Sequence, residues 1–289
     1  MTYQIHFLSE AAFTEIYHTF QDAFADYPID MSRVNEQSLF HRAVKNGIVF
    51  ESSVGVYYQG KMVGFTLIGL DRWQQELAAF DIGTGVVREH RGKGLAQKMF
   101  EYAVPFLRAK GVRKFLLEVL QDNAPAIKAY QKAGFNITRE FDCFDLKIEK
   151  YRLRKGSDAP VRVETLDREE LTEFIGFLDW QPSWENSFAA IKRIPDSVLL
   201  LAALVDNEYV GLLVFYPALN WIMNLVVRDI YRRRGIASLL MNYLYLSHTH
   251  HEGHLKIVNV QSKDKGFIRF LTRCGFELYA KQFEMERDL

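Results

Sequence analysis

Cysteine is nearly absent from this 289-residue chain, which carries only Cys143 and Cys274. Two cysteines cannot build a disulfide framework or a cysteine-rich zinc site, and a chain of this length needs neither, so a reducing, cytoplasmic setting is expected. Long apolar runs are missing too. The longest, Val198 to Val205, has eight residues, far short of the roughly 20 that cross a bilayer as a helix, so no membrane partner is expected. The opening Met1-Thr2-Tyr3-Gln4-Ile5-His6 shows no basic segment ahead of an apolar run, and no secretory signal is expected. Net charge is absent as well, with 36 Lys plus Arg against 36 Asp plus Glu. Without a basic excess to drive binding to phosphate backbones, nucleic acid is not an expected partner. Apolar residues at 48% and charged residues at 25% exclude disordered and coiled-coil chains and leave an ordinary folded protein, long enough for two domains.

The chain repeats itself. Arg91-Gly92-Lys93-Gly94-Leu95-Ala96 has a counterpart in Arg232-Arg233-Arg234-Gly235-Ile236-Ala237, and Lys132-Ala133-Gly134-Phe135 has one in Arg273-Cys274-Gly275-Phe276. Both pairs of glycines are offset by 141 residues, Gly94 to Gly235 and Gly134 to Gly275. The openings match at a larger offset, Thr14 against Thr172, so the second copy is shorter upstream of the glycine motif. The stretch Tyr151 to Pro160 is polar, holds Gly and Pro and lacks periodicity. It places a boundary near residue 155, between an expected domain 1–154 and an expected domain 155–289.

Within the first copy, periodicity predicts strands over Gln4 to Leu8, Val54 to Tyr58, Met62 to Gly69, Ala79 to Val87, Lys114 to Val119 and Ile137 to Ile148. Helices are predicted over Glu10 to Phe24, Gly92 to Lys110 and Ala124 to Ala133, the last closed by Gly134 in a left-handed cap. Pro105 should kink the second of these or end it early. The result is an α/β (α+β) domain occurring twice.

A glycine turn between a strand and a helix can hold a phosphate, because free N–H groups and the helix dipole both point at an anion there. Nucleotide P-loop and dinucleotide fingerprints fail here on spacing. What fits is Arg/Gln-x-x-Gly-x-Gly/Ala, met by Arg91, Gly94 and Ala96 and again by Arg232, Gly235 and Ala237. With Leu116 to Val119, Asn123, Tyr130 and Gly134-Phe135 at matching spacing downstream, each half resembles the GCN5-related N-acetyltransferase superfamily. The whole chain looks like a tandem pair of such domains, each a mixed, mostly antiparallel sheet splayed at a central cleft and flanked by helices.

The resemblance implies an acetyl-CoA-dependent N-acetyltransferase with no metal. The strand end at Val86 and Val87 would meet the pantetheine arm, while the loop and helix start at Arg91, Gly92, Lys93, Gly94, Leu95 and Ala96, with Asn123, would complete the cofactor site. Glu118 matches the position of a general base in amino-terminal acetyltransferases of the superfamily, and Tyr130 that of the general acid toward the departing thiolate. Asp81, on the neighbouring strand, is the reserve base. In the second copy the offset of 141 turns Tyr130 into Leu271, Glu118 into Asn259 and Asn123 into Asp264. The first domain is therefore the expected catalyst and the second the degenerate copy, with Arg232, Arg234, Gly235 and Ala237 as a possible second cofactor site.

The acceptor is expected to be a small-molecule amine or a peptide or protein amino group, gripped between Ala23 and Phe50. There Asp22, Asp26, Asp30 and Glu36, with Phe24 and Tyr27, are offset by Arg33, His41, Arg42 and Lys45. Trp180, Trp184, Tyr216 and Trp221 are expected mainly as core. His248, His250, His251 and His254 fall on a turn with no accompanying carboxylate or cysteine spacing and are not expected to hold a metal. The rival reading is a non-catalytic acyl-CoA-binding or protein-interaction module that keeps the fold.

Overall fold

A computed structural model describes residues 2–27, 29, 31, 34–157, 160–248 and 253–289. Asp30, Arg33, His250 and His251 from the reading above lie outside the described residues. The chain divides into two compact units: Met1–Arg139 with Phe283–Leu289, and Glu140–Gln282. The sequence halves on either side of residue 155 and these units are thus different partitions of the chain. Two long strands, Asn136–Lys147 and Glu277–Asp288, each divide between the units.

Unit 1 runs β1 (Gln4–Phe7), α1 (Phe13–Phe24), α2 (Glu36–Lys45), β2 (Val54–Tyr58), β3 (Lys61–Trp73), β4 (Glu76–Val86), α3 (Leu95–Ala109), β5 (Lys114–Leu120), α4 (Ala124–Lys132) and the start of β6 (Asn136–Lys147). Its strand order is β1-β2-β3-β4-β5, then the chain's terminal strand, then β6. Neighbours from β1 to β4 are antiparallel, whereas β4 and β5 are parallel. Helix α2 was not anticipated. Its signal is a capping box in which Asn35 Oδ1 accepts from Ser38 N at 2.8 Å and Ser38 Oγ accepts from Asn35 N at 3.0 Å. Leu39 and Ala43, four residues apart, are its buried stripe.

Of the two effects expected of Pro105, a kink or an early end, the early end does not occur, and helix α3 continues to Ala109. Glu101, whose carbonyl would have accepted the missing N–H, and Pro105 both belong to exposed residues, so water can take up the lost bond. Leu95, Met99, Ala103 and Leu107 of α3 pack with Phe115, Leu117 and Val119 of β5 and with Tyr130 of α4. The terminal strand completes this unit. Arg139 donates to both oxygens of buried Glu284 at 2.7 and 2.6 Å, and Lys114 pairs with Glu286 at 3.0 Å.

Unit 2 takes the rest of β6, then β7 (Arg162–Thr165), α5 (Phe188–Lys192), β8 (Leu199–Val205), β9 (Glu208–Tyr216), β10 (Trp221–Val227), α6 (Ile236–His248), β11 (His254–Gln261), α7 (Lys265–Arg273) and the first part of β12 (Glu277–Asp288). Where unit 1 has α1, unit 2 has a 3-10 run over Arg168–Phe177. The parallel contact recurs between β10 and β11. Trp184, Tyr216 and Trp221 are buried, as expected for core residues. His254 pairs with Asp145, and no cluster able to hold a metal ion occurs among the described residues.

Candidate active site

The site in unit 1 grows from two irregularities of the sheet. Gly83 pairs with Leu67 and Asp81 with Ile68, which leaves Ile82 as the extra residue of a bulge in β4. Strands β4 and β5 are paired only from Ala78 and Lys114 to Asp81 and Leu117. Beyond that point the strands part, and the stretch toward Val86 has β3 on one edge and no strand on the other. An open backbone edge of this kind can take a ligand that carries amides.

The turn into α3 lies at the end of β4. Gly92 and Gly94 have φ of +73° and +70°, and nothing lies within 4 Å of where a Cβ would stand on either. Gly94 caps α3 in the left-handed conformation, with no side chain satisfying the first turn and no acidic residue in it. The first-turn N–H groups therefore face outward with a partial positive charge, a geometry suited to an anion. The guanidinium of Arg91 is engaged with its own chain: it donates to Val86 O at 3.0 Å, to Ala23 O at 2.8 Å and to both oxygens of Asp26 at 2.8 and 2.7 Å. Lys93 Nζ donates to Glu89 O at 2.8 Å. Both side chains shape the turn, which leaves the seat itself to main chain from Gly92 to Ala96.

Tyr130, on α4, is buried against Phe100 and Phe135. Burial, then the charges of Asp81 and Tyr27, push its phenol well above the ordinary value, so it keeps its proton at neutral pH. Asp81 is buried too, and burial raises its carboxyl from the ordinary 3.8 to about 7. Bonds from Thr84 Oγ1 at 2.9 Å and from the Gly83 N–H partly oppose that shift. Glu118 lies elsewhere. Leu117 and Val119 belong to the core shared with Tyr130, and strand alternation turns Glu118 toward the opposite sheet face. Asn123 caps α4, accepting from Ala126 N at 3.2 Å, and its side chain bonds Tyr27. The structure thus brings Tyr130, Asp81 and Tyr27 together and sets Glu118 across the sheet from them.

Unit 2 repeats the frame with other residues at the equivalent positions. Met223 is the extra residue of the β10 bulge, and Arg232 reproduces Arg91 by donating to Val227 O at 2.9 Å and to Asp179 at 2.8 Å. Leu271 is fully buried, and Asn259, at φ +59°, is fixed by Ser183 at 3.0 Å and Gln282 at 3.1 Å. The paired role of Arg91 and Arg232 escaped the sequence reading, although Asp26 and Asp179 precede them by 65 and 53 residues.

Two stretches, 13–135 and 163–276, match the acetyltransferase (GNAT) family model. The chain belongs to that family, and carries its domain twice. Streptothricin acetyltransferase of Streptomyces lavendulae is 39% identical over 82 residues, which covers 28% of this chain and 42% of that protein. A GCN5-related N-acetyltransferase from Sphaerobacter thermophilus superposes with a TM-score of 0.75 at 15% identity, covering 99% of this chain and 95% of that one. A tandem GNAT protein from the clavulanic acid biosynthesis pathway does so with a TM-score of 0.73 at 14% identity, covering 99% and 98%. At these identities the structural likeness establishes the shared fold.

Proposed function

We propose that this protein is an acetyl-CoA-dependent N-acetyltransferase in which the first half carries the chemistry. The observation that supports it most is the open seat at Gly92 to Ala96, placed beside the parting of β4 and β5 and within the same unit as Tyr130. The main chain from Gly92 to Ala96 would hold the pyrophosphate, and the open edge leading to Val86 and Val87 would take the pantetheine amides. When bound, acetyl-CoA supplies an acetyl group activated as a thioester.

Tyr130 holds a proton at its phenol oxygen and delivers it to the departing sulfur. Glu118, on the other face of the sheet, takes a proton from the acceptor's ammonium and so frees the amine lone pair that then attacks. Acid and base on opposite faces suit an exchange in which the amine enters from one side and the thiolate leaves on the other. A second reading gives the proton-accepting role to Asp81, and its carboxyl near 7 is the observation in its favour, because a base titrating near the working pH is the effective one. The pH profile separates the two: the acidic limb vanishes in Asp81→Asn under the second reading and in Glu118→Gln under the first.

The acceptor is an amine, either a small molecule or a peptide or protein amino group, met by Tyr27 and Arg42 near Asp81, and the two free buried cysteines suit a cytoplasmic setting. The test is Tyr130→Phe. It should lose turnover while keeping affinity for acetyl-CoA, and equal turnover would remove Tyr130 from the mechanism.

A further inference from the structure

Unit 2 contains a cavity of about 410 Å³ at the place where β10 and β11 part. Its floor is apolar, built from Ile222, Leu225, Ile257 and Val260, with Phe267 and Phe270 of α7 alongside. Its rim is cationic. Five arginines line it against two aspartates, and both aspartates are already engaged. Asp179 pairs with Arg232 at 2.8 Å, while Asp264 accepts from Phe267 N at 2.9 Å and from Trp180 Nε1 at 3.2 Å. Of the five, only Arg232 forms an ion pair among the described residues, while Arg154 donates to Arg273 O and Arg233, Arg269 and Arg273 line the rim beside it. In a chain of zero net charge, an uncompensated positive rim over an apolar floor concentrates organic anions.

The same unit also excludes one kind of anion. A Cβ on Gly235, at φ +83°, would stand 2.3 Å from Gly156 O and 2.7 Å from Ser157 N. The face of the turn that is open at Gly94 is here covered by main chain. That segment is fastened, because Asn242 on α6 donates from Nδ2 to Arg154 O at 2.7 Å and accepts from Arg154 N at 3.1 Å. Tyr151 adds a bond to the same amide at 2.9 Å. A diphosphate has no room to reach Gly235 while the strap is seated.

We propose that the unit 2 cavity binds a small organic anion with an apolar body, an alkyl or aryl phosphate or carboxylate, and that the strap Arg154–Ser157 fills the place a longer ligand's diphosphate would need. The apolar body lies against Ile222, Ile257 and Phe270, and the head group meets Arg233, Arg269 and Arg273. The volume is at the small end of ligand cavities, which fits a ligand of this size. The proposal stands whether or not the first half transfers acetyl groups.

The test is calorimetric titration of the full chain with hexyl phosphate and, separately, with octanoate, repeated in Arg269→Ala and Arg273→Ala. Both residues are exposed on α7, so the variants should fold, and a charge-assisted contact to each predicts about a tenfold loss of affinity per substitution. Binding is expected at one site per chain, undisturbed by saturating acetyl-CoA and accompanied by a fluorescence change that disappears in Trp180→Phe. Saturation by either head group at the arginine-dependent site supports the proposal and tells phosphate from carboxylate. Titration without saturation, unchanged affinity in both arginine variants, or displacement by acetyl-CoA would overturn it.

Discussion

Gly94 and Gly235 occupy equivalent turns, share a positive φ and start equivalent helices, yet one turn is bare and the other is covered by Gly156 and Ser157. The same contrast runs through the residues around them. Where the first half has a tyrosine that keeps its proton and a half-buried glutamate, the second has a core leucine and an asparagine bonded to Ser183 and Gln282. Retaining the turn has therefore not meant retaining its surroundings. Family motifs report that a backbone can be built, while the neighbours of its Cα atoms decide what can approach it.

The largest effect that could break this comparison is on turnover. Tyr130→Phe should lower kcat by about 10²- to 10⁴-fold, the usual worth of a positioned acid, with acetyl-CoA affinity unchanged, whereas Leu271→Tyr should produce no turnover from the second half. Steady-state kinetics beside calorimetry would check both, and activity appearing in a Tyr130→Phe, Leu271→Tyr double variant would contradict the assignment.

The next effect is on stability and contrasts two ion pairs. Arg139→Ala leaves Glu284 buried and uncompensated, a loss of about 3–5 kcal/mol, whereas Arg228→Ala breaks the exposed pair with Glu208 and should cost under about 1 kcal/mol. Urea unfolding of both variants tests whether the chain's last strand segment, Phe283–Leu289, is integral to unit 1.

Smaller again is the pair of glycine substitutions. Gly94→Ala should lose about 1–2 kcal/mol, the cost of a left-handed alanine. Gly235→Ala carries the same cost plus a further ~1–3 kcal/mol, because its methyl must push the strap aside. Equal shifts in thermal midpoint would show that the strap is not seated.

The last effect is read against pH and belongs to Asp81. Its carboxyl binds a proton more tightly in the fold than in the unfolded chain, so its contribution to stability is complete below about pH 4 and is lost as pH rises through about 7. Asp81→Asn should flatten stability across that window, as followed by denaturant unfolding at several pH values.

Much of this was legible in the sequence. Val54–Tyr58 was read to the residue, and the repeat offset of 141 aligned Asn123 with Asp264, the residues that the structure places as the caps of α4 and α7. Local patterns carry such information because caps, turns and stripes are set by near neighbours. Helix α2 was missed because its charged residues obscure a stripe only two residues long. The engagement of Arg91 by Asp26, the raised carboxyl of Asp81 and the strap over Gly235 were not legible, since each depends on groups far apart in the chain. Spacing identifies which residue types are present, but not which of them tertiary packing will bury, neutralise or cover.

We propose that one half of this chain holds a seat for acetyl-CoA, while main chain covers the equivalent turn of the other. Titration calorimetry of the wild type and of Gly94→Trp with acetyl-CoA tests it most directly. One site per chain, abolished in the variant, is the predicted result; two sites per chain, or a single site that survives Gly94→Trp, would contradict the account.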